Sequence, residues 1–197
     1  MKVRSEIPYK VLMPLVRFWF RFYYNPTIIN KDLIPKEGPI LIAGNHLHAF
    51  DQFPTMCATK RVIHYMAKKE YFDSKFSFIF KLAGCIPVNR QIKDTAATEA
   101  AISILKKGGA IGIFPEGTRN KTKEFLLPFK FGAVSMASKT NATIVPFGLT
   151  GDYKFRSKNL KIIYGTPFKV GDMSLEEANE KLRKEVERLM KECLETR

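Results

Sequence analysis

Apolar runs about the length of a β-strand alternate along this sequence with segments of helical character, and this alternation limits the fold more than any other feature. Such runs occupy residues 40–43, 110–114 and 143–149, each bounded by turn-forming residues. Further strands are predicted at 61–67 and 160–164, and helices at 53–59, 76–82 and 131–139. Parallel strands need helical crossovers of this kind. We therefore expect an α/β fold, a single domain whose mostly parallel central sheet is flanked by helices.

Capping residues mark the start of two more helices. Asp94 or Thr95 can cap a helix that runs to Lys107, where two glycines stop it. Ser174 opens the last helix, and Glu177 completes a capping box three residues later. Apolar residues then recur at intervals of three and four, so this helix is expected to pack one face on the protein and leave its charged face in water.

The N-terminal segment, residues 9–24, is mostly apolar and aromatic, but Arg17 and Arg21 interrupt it and it is too short to cross a bilayer. It also lacks the cleavage site of a signal peptide. Wound as a helix, it brings Lys10, Arg17 and Arg21 within about 40° of one another, with Trp19 on a broad apolar remainder. This pattern predicts an N-terminal amphipathic helix, within residues 1–26, that lies in the membrane interface. The alternative is a helix packed on the protein's own core.

Basic residues dominate the charge of the chain. Lys and Arg number 33 against 19 Asp and Glu, a formal net charge of +14. Such a surface attracts nucleic acid, anionic lipid headgroups and phosphorylated substrates alike. The sequence contains no recognisable nucleic-acid-binding module, so we expect no nucleic-acid partner.

The cysteines indicate neither a disulfide framework nor a metal site. The chain has 3 of them, Cys57, Cys85 and Cys193, with no C-x-x-C or Cys/His ligand spacing. We interpret them as small apolar residues of a protein in a reducing compartment.

A histidine and an aspartate follow the first apolar run, in the stretch GNHLHAFD that begins at Gly44. The glycine and Asn45 form turns readily, so the chain is expected to leave the sheet here. Asp51 can accept a hydrogen bond from Nδ1 of His46 and leave Nε2 as a base. No serine or cysteine stands nearby as a nucleophile, so the attacking hydroxyl would belong to the substrate. The alternative is a chance pairing of two common residues.

Charged residues follow the other predicted strands at the edge where ligands bind in open α/β sheets. Lys68 ends one strand, Arg90 follows another, and Glu116-Gly117-Thr118-Arg119 follows a third. Arg119 offers a fork of donors suited to phosphate, and Gly117 allows close approach of a ligand. Each cation alone could be a solvated surface charge. Together near one histidine base, they would form a site for a phosphorylated alcohol.

Four segments in order, NHLHAFD, GCIPVNR, FPEGTRN and IVPFGLTG, resemble the four motifs of the glycerolipid acyltransferase family. His46 and Asp51 match the H-x-x-x-x-D motif, residues 114–119 match the third motif, and Lys68 in AKKEYF also resembles the family. Asn45, Pro87 and Pro146 belong to the supporting positions of the motifs. His48 departs from the family pattern, which often has Ser or Gln there, and leaves open which histidine titrates.

The resemblance implies an acyltransferase domain over residues 27–197. It implies transfer of a fatty acyl group from acyl-CoA or acyl carrier protein to the sn-2 hydroxyl of 1-acylglycerol 3-phosphate, giving phosphatidic acid. His46 would be the general base and Asp51 would orient it. Arg119, Lys68 and Arg90 would bind the phosphate, and Glu116, Gly117 and Thr118 would position the substrate. No bound cofactor, metal or acyl-enzyme is expected.

The resemblance also implies a peripheral or monotopic place on the cytoplasmic face of the cell membrane, where the lysolipid is found. An acyl chain would need an apolar groove, for which the sequence offers the phenylalanines at positions 72, 76, 78 and 80, although these could equally be core. Two alternatives stay open. The acceptor could be glycerol 3-phosphate or another lysolipid, or the protein could be a non-enzymatic basic protein that binds membranes or nucleic acid.

Overall fold

The strands and helices follow the alternation of the sequence. The computed structural model describes residues 6–75, 77–89, 91–92 and 94–196. Its strands are β1 (Thr27–Ile29), β2 (Ile40–Gly44), β3 (Ile63–Lys68), β4 (Ile86–Val88), β5 (Ala110–Ile113), β6 (Thr143–Thr150) and β7 (Lys161–Tyr164). Its helices are α1 (Ile7–Tyr24), α2 (Gln52–Ala58), α3 (Ser77–Leu82), α4 (Thr95–Lys106), α5 (Gly132–Thr140) and α6 (Leu175–Glu195), with short 3-10 turns at Lys31–Leu33 and Lys69–Tyr71.

The strands form a 7-stranded sheet in the order β1-β7-β6-β2-β5-β3-β4. Every neighbouring pair is parallel except β6 and β7, which are antiparallel. The predicted single α/β domain with a mostly parallel sheet is therefore confirmed. The antiparallel pair forms because the connection from Thr150 to Lys161 contains no helix to carry the chain back across the sheet.

Helices cover both faces of the sheet. Ile40 and Ile42 of β2 pack with α1 and α2 on one face, whereas Leu41 and Ala43 pack with α4, α5 and α6 on the other. All five residues of β2 are buried, as expected of a strand at the centre of a parallel sheet. The end of β2 consequently places the next residues, Asn45 and His46, near the middle of the carboxyl edge.

Helix α1 packs on the domain through one face only. Tyr9, Met13 and Phe20 are buried in the core shared with α2 and the sheet. Eight large apolar side chains lie exposed: Ile7, Val11, Leu12, Leu15, Phe18, Trp19, Phe22 and Tyr23. The helix at the N-terminus is thus present and packs on the core as the alternative expected, yet it also leaves an apolar face uncovered. Its association with a membrane stays a prediction.

The cationic residues of α1 lie at the border between these two faces. Arg17 Nε donates to the carbonyl of Met56 at 2.7 Å, and Arg21 Nη2 donates to the carbonyl of Cys57 at 3.2 Å. Lys10 pairs with Glu6 at 2.9 Å. The two arginines therefore bind the last turn of α2, where carbonyls lack partners within the helix, and the exposed face is formed by Trp19 and its apolar neighbours.

No helix in the described ranges is both long enough and apolar enough to span a membrane.

Candidate active site

His46 and Asp51 meet at the carboxyl end of β2. The Nδ1 atom of His46 lies 2.8 Å from Oδ2 of Asp51. Asp51 is fully buried and His46 is 9% exposed, so the pair is shielded from bulk water. Because Nδ1 faces the carboxylate, the remaining ring nitrogen, Nε2, is the one that can accept a proton. The geometry agrees with the pairing predicted from the sequence.

The turn between the two residues holds the carboxylate in place. Asp51 Oδ2 accepts the backbone N–H groups of Leu47 at 2.6 Å and His48 at 2.7 Å, in addition to the His46 ring. The other oxygen, Oδ1, accepts the hydroxyl of Tyr153 at 2.7 Å. These contacts fix the position of the carboxylate, which can then hold the imidazole in one tautomer and orientation.

The loop after β5 hydrogen bonds with both the backbone N–H and the backbone carbonyl of His46. The His46 N–H donates to Glu116 Oε1 at 2.7 Å, and the His46 carbonyl accepts the N–H of Asn120 at 2.7 Å. The second oxygen of Glu116 accepts the N–H of Leu127 at 3.0 Å. Burial raises the pKa of Glu116, and the two amide donors act in the opposite direction. Both oxygens of Glu116 thus bind backbone groups and orient the loop, and its predicted role in positioning the substrate stays a prediction.

Gly44 and Asn45 set the position at which the chain leaves the sheet. A Cβ on Gly44 would lie 2.4 Å from the Phe147 ring and its carbonyl oxygen, so only glycine allows β2 and β6 to approach this closely. The Asn45 amide donates to the carbonyl of Leu149 at 2.8 Å and accepts its N–H at 2.8 Å. This buried pair extends the contact between the strands and directs His46 toward the site.

An aromatic wall fixes the plane of the histidine ring. Phe114 stacks on His46 with centroids 4.0 Å apart and planes 10° apart. Phe114 in turn stacks on Tyr65 at 5.5 Å, and the Tyr65 hydroxyl hydrogen bonds with Thr55. The ring thus has a fixed plane from Phe114 and a fixed rotation from Asp51.

The cations predicted to bind phosphate come from different strand ends. Arg119 is half-buried and directly precedes Asn120, which contacts His46. Lys68 ends β3 in register with Val88 of β4, and its ammonium pairs with Glu70 at 2.9 Å. Arg90, the third predicted cation, lies outside the described residues. Arg119 is therefore brought next to the histidine through the backbone, and Lys68 lies at the same edge of the sheet.

A further lysine was missed by sequence reasoning. Gly117 has a φ of +71°, and a Cβ at this position would lie 3.1 Å from Nζ of Lys130. The Lys130 N–H also donates to the Pro115 carbonyl at 2.9 Å. Lys130 thus lies directly against the loop that carries Arg119. Only its place in the segment LPFK shortly after the third motif could have drawn attention to it.

The other motif residues have structural positions. Thr118 is exposed on the loop after β5, and Pro87 pairs with Ala67 on the edge strand β4, where a missing N–H is tolerated. Pro146 pairs with Ala43 of β2, and its carbonyl accepts the N–H of Gly165 at 3.0 Å. The two prolines therefore shape strands that carry the site, and the predicted role of Thr118 in positioning the substrate stays a prediction.

The two remaining histidines differ from His46 in their surroundings. His48 Nδ1 accepts the N–H of Phe50 at 3.2 Å, and its ring stacks on Tyr153 at 4.5 Å. His64 is buried in β3, as expected of a sheet histidine, and its Nδ1 contacts the carbonyl of Gly84 at 2.8 Å. Among the described residues, only His46 therefore contacts a buried carboxylate, which favours it as the base.

The thiols lie in apolar surroundings. Burial raises the pKa of Cys57 and Cys193 to about 11 and that of Cys85 to about 12. Since the thiolate is the nucleophilic form, these cysteines are poor nucleophiles at neutral pH. An acyl-enzyme on one of these thiols is therefore not favoured, and the His46–Asp51 pair has the geometry of a base for an incoming hydroxyl.

Comparison with known proteins gives a family model and named relatives that this chain resembles. The family model described as Acyltransferase matches residues 25–150. The chain is 32% identical over 162 residues to 1-acyl-sn-glycerol-3-phosphate acyltransferase of Bacillus subtilis, covering 79% of each chain. It is 35% identical over 136 residues to the protein of that name from Borreliella burgdorferi, covering 68% of this chain but 54% of the relative.

A solved structure has the same fold. The crystal structure of the 1-acyl-sn-glycerophosphate (LPA) acyltransferase PlsC from Thermotoga maritima superposes with a TM-score of 0.76 at 22% sequence identity. The match covers 98% of this chain and 80% of that chain.

Proposed function

The chain belongs to the acyltransferase family, and from that premise we propose that it transfers a fatty acyl group to the sn-2 hydroxyl of 1-acylglycerol 3-phosphate, giving phosphatidic acid. The resemblance of its four motifs to this family is confirmed by the match. The donor in this proposal is an acyl thioester, either acyl-CoA or acyl carrier protein, and no bound cofactor takes part.

One observation carries the proposal. The loop that bears Arg119 holds His46 by both backbone groups, through Glu116 and Asn120 at 2.7 Å each. A base and a candidate phosphate ligand are thus built into one unit. An acceptor bound through its phosphate would present a hydroxyl to the histidine at a set distance, and such positioning lowers the barrier of a bimolecular step.

The proposed reaction proceeds by direct transfer. Nε2 of His46 takes the proton of the sn-2 hydroxyl as the oxygen attacks the thioester carbonyl. The tetrahedral intermediate then collapses, the carbon–sulfur bond breaks, and the imidazolium gives its proton to the leaving thiolate, which departs as the free thiol. Asp51 stabilises the imidazolium in between, because its carboxyl group is buried and lies 2.8 Å from Nδ1.

The phosphate of the acceptor is proposed to bind the cations at the carboxyl edge. Arg119, Lys68 and Arg90 are the ligands expected from the sequence, and Lys130 is added because it lies against Gly117. Glu116, Gly117 and Thr118 of the same loop are proposed to position the substrate, and the φ of +71° at Gly117 gives this turn a backbone conformation that favours glycine. A formal net charge of +14 also favours approach to anionic substrates and lipid headgroups.

We further propose that the protein works at the cytoplasmic face of the cell membrane as a peripheral or monotopic protein. The exposed apolar face of α1, with Trp19 62% exposed, supports contact with lipid. Phe78, Ile79 and Leu82 of α3 are also exposed and offer apolar surface for an acyl chain. Phe72 packs on Phe80 instead, and Phe76 lies outside the described residues.

Thiol release tests the proposed function directly. The purified protein is incubated with acyl-CoA or acyl carrier protein thioester, with and without lysophosphatidate, and free thiol and lipid products are measured. We expect release that depends on the acceptor and equals the phosphatidate formed. Equal or greater use of glycerol 3-phosphate, or of lysolipids without a phosphomonoester, would replace the proposed acceptor. Absence of acceptor-dependent release with all of these would contradict acyl transfer.

Kinetics separate direct transfer from an acyl-enzyme. We expect intersecting initial-rate lines when the two substrates are varied and no burst of thiol, because the buried cysteines carry little thiolate and no other nucleophile is activated in the described site. Parallel lines with a burst would contradict the mechanism. The variant with Cys57, Cys85 and Cys193 replaced by alanine is expected to give the same intersecting pattern.

Replacement of Arg119 by alanine is expected to weaken acceptor binding. A charge-assisted hydrogen bond contributes about 1.5–3 kcal/mol, so the KM for lysophosphatidate should rise roughly 10- to 100-fold while kcat changes less. Arg188→Ala is the matched control, because Arg188 lies on the exposed face of α6 and its ion pairs among the described residues are with its helix neighbours Glu185 and Glu192. An unchanged KM for lysophosphatidate in the Arg119 variant would remove this residue from the phosphate site.

A further inference from the structure

Asp51 accepts one further hydrogen bond, and its donor lies outside the four sequence motifs. Tyr153 lies in the connection between β6 and β7, distant in sequence, and its hydroxyl donates to Asp51 Oδ1 at 2.7 Å. The oxygen Oδ2 already accepts the His46 ring and two backbone N–H groups. Among the described residues, Tyr153 thus provides the side-chain hydrogen bond to Oδ1. This bond fixes the rotation of the carboxylate.

The tyrosine is held as a proton donor. Burial raises its pKa, and the adjacent charge of Asp51 raises it further, so the hydroxyl stays protonated at neutral pH. Its proton points at Asp51 Oδ1, the acceptor 2.7 Å away. The contact is thus directional.

The ring of Tyr153 is seated by helix α1. Phe20 and Tyr24 of α1 contact it edge-on, with centroid distances of 6.3 Å and 5.6 Å. His48 stacks on its other side at 4.5 Å. The same connection is tied to α1 again by the N–H of Arg156, which donates to the carbonyl of Tyr23 at 2.8 Å. The helix with the exposed apolar face is therefore two contacts away from the catalytic carboxylate.

We propose that Tyr153 is a positioning residue that holds Asp51, and through it His46, in the geometry for proton transfer, and that α1 supports it through Phe20 and Tyr24. The proposal rests on the proposed acyl transfer by the His46–Asp51 pair. Tyr153 contacts Asp51 rather than the reacting atoms. Its loss should therefore lower the rate of the chemical step and leave substrate binding unchanged.

Tyr153→Phe tests the hydroxyl, because it keeps the ring and removes one oxygen atom. We expect kcat to fall roughly 10- to 100-fold, because small misplacements of catalytic groups reduce rates by about this much. The KM for both substrates should stay within about twofold of the wild-type value. Tyr164→Phe is the matched control: Tyr164 is buried, and its hydroxyl has no hydrogen-bond partner among the described residues. This control should keep the wild-type kcat.

Amide hydrogen exchange gives a second measurement that does not need turnover. The N–H groups of Leu47 and His48 donate to Asp51, so release of the carboxylate should speed their exchange in Tyr153→Phe and not in Tyr164→Phe. A loss of kcat without faster exchange would contradict positioning and point to direct contact with substrate. A wild-type kcat in Tyr153→Phe would overturn the proposal outright.

Phe20→Leu tests the support from α1 and leaves the hydroxyl in place. We expect a smaller loss of kcat, about threefold to tenfold, with the same faster exchange at Leu47 and His48. Unchanged kcat and exchange would overturn the role of α1, and this result stands even if Tyr153→Phe does not fold. The two proposals fail by different results. The absence of acceptor-dependent thiol release in the wild-type protein would contradict the proposed function, whereas unaltered amide exchange in Tyr153→Phe and Phe20→Leu would contradict the positioning role.

Discussion

His46→Ala is expected to lower kcat by roughly 10²- to 10⁴-fold, because general-base catalysis supplies a factor of that size. Among the described residues, the imidazole of His46 has a buried carboxylate partner, Asp51, 2.8 Å from Nδ1. Its other ring nitrogen, Nε2, is directed away from that carboxylate. Its removal leaves the acceptor hydroxyl without a base, while the phosphate-binding cations remain. The KM for lysophosphatidate should therefore change little. Initial rates of phosphatidate formation under saturating donor measure both quantities.

The variant should keep its fold, so the loss can be assigned to chemistry. Asp51 would still accept the N–H groups of Leu47 and His48 and the hydroxyl of Tyr153. The backbone bonds of residue 46 to Glu116 and Asn120 do not depend on its side chain. Circular dichroism and thermal unfolding would verify this.

His48→Asn decides which histidine is the base. His48 contacts Phe50 and Tyr153 and, through its side chain, no carboxylate in the described chain. We expect this variant to retain kcat within about tenfold, since it loses the ring contacts to Tyr153 and Phe50 and the hydrogen bond from the Phe50 N–H, none of which involves the His46–Asp51 pair directly. Near-normal rates in His46→Ala together with a large loss in His48→Asn would reverse the assignment.

Much of the fold followed from local patterns. The apolar runs located the central strands because a strand buried on both faces consists mostly of apolar residues. Asp94 and Ser174 cap their helices as expected, the latter with a complete capping box. The strand Thr27–Ile29 was not predicted, because three residues at the sheet edge carry too short a pattern to distinguish a strand from a loop.

The parts of the site formed by residues close in sequence could be predicted, whereas those formed by residues distant in sequence could not. His46 and Asp51 are five residues apart, so their pairing could be inferred from spacing. Tyr153 reaches Asp51 from 102 residues away, and no sequence pattern links the two. The roles of Arg17 and Arg21 differ from the prediction for the same reason. Helical geometry correctly placed them on one side of α1, but only the tertiary packing shows that they bind carbonyls of α2.

The apolar face of α1 gives the second large expected effect. Phe18, Trp19 and Phe22 contact one another and are 62%, 62% and 49% exposed. A large apolar side chain moved from water into lipid contributes about 1.5–3 kcal/mol. Replacing all three by glutamine should therefore cost about 4–5 kcal/mol of membrane binding and lower the vesicle partition coefficient roughly 1000-fold. Sedimentation with anionic vesicles measures it.

A matched control separates lipid contact from general loss of apolar surface. Ile92, Phe131 and Leu194 are 65%, 46% and 64% exposed on other parts of the molecule, and their replacement by glutamine should leave vesicle binding within about twofold. Because Phe18, Trp19 and Phe22 face away from the core, the α1 variant should also keep its kcat on a short-chain lysophosphatidate below its micellar concentration. It should lose activity on substrate held in vesicles. Unchanged sedimentation of the α1 variant would show that this face does not bind the bilayer, and an equal loss in the control variant would show that the binding is not specific to α1.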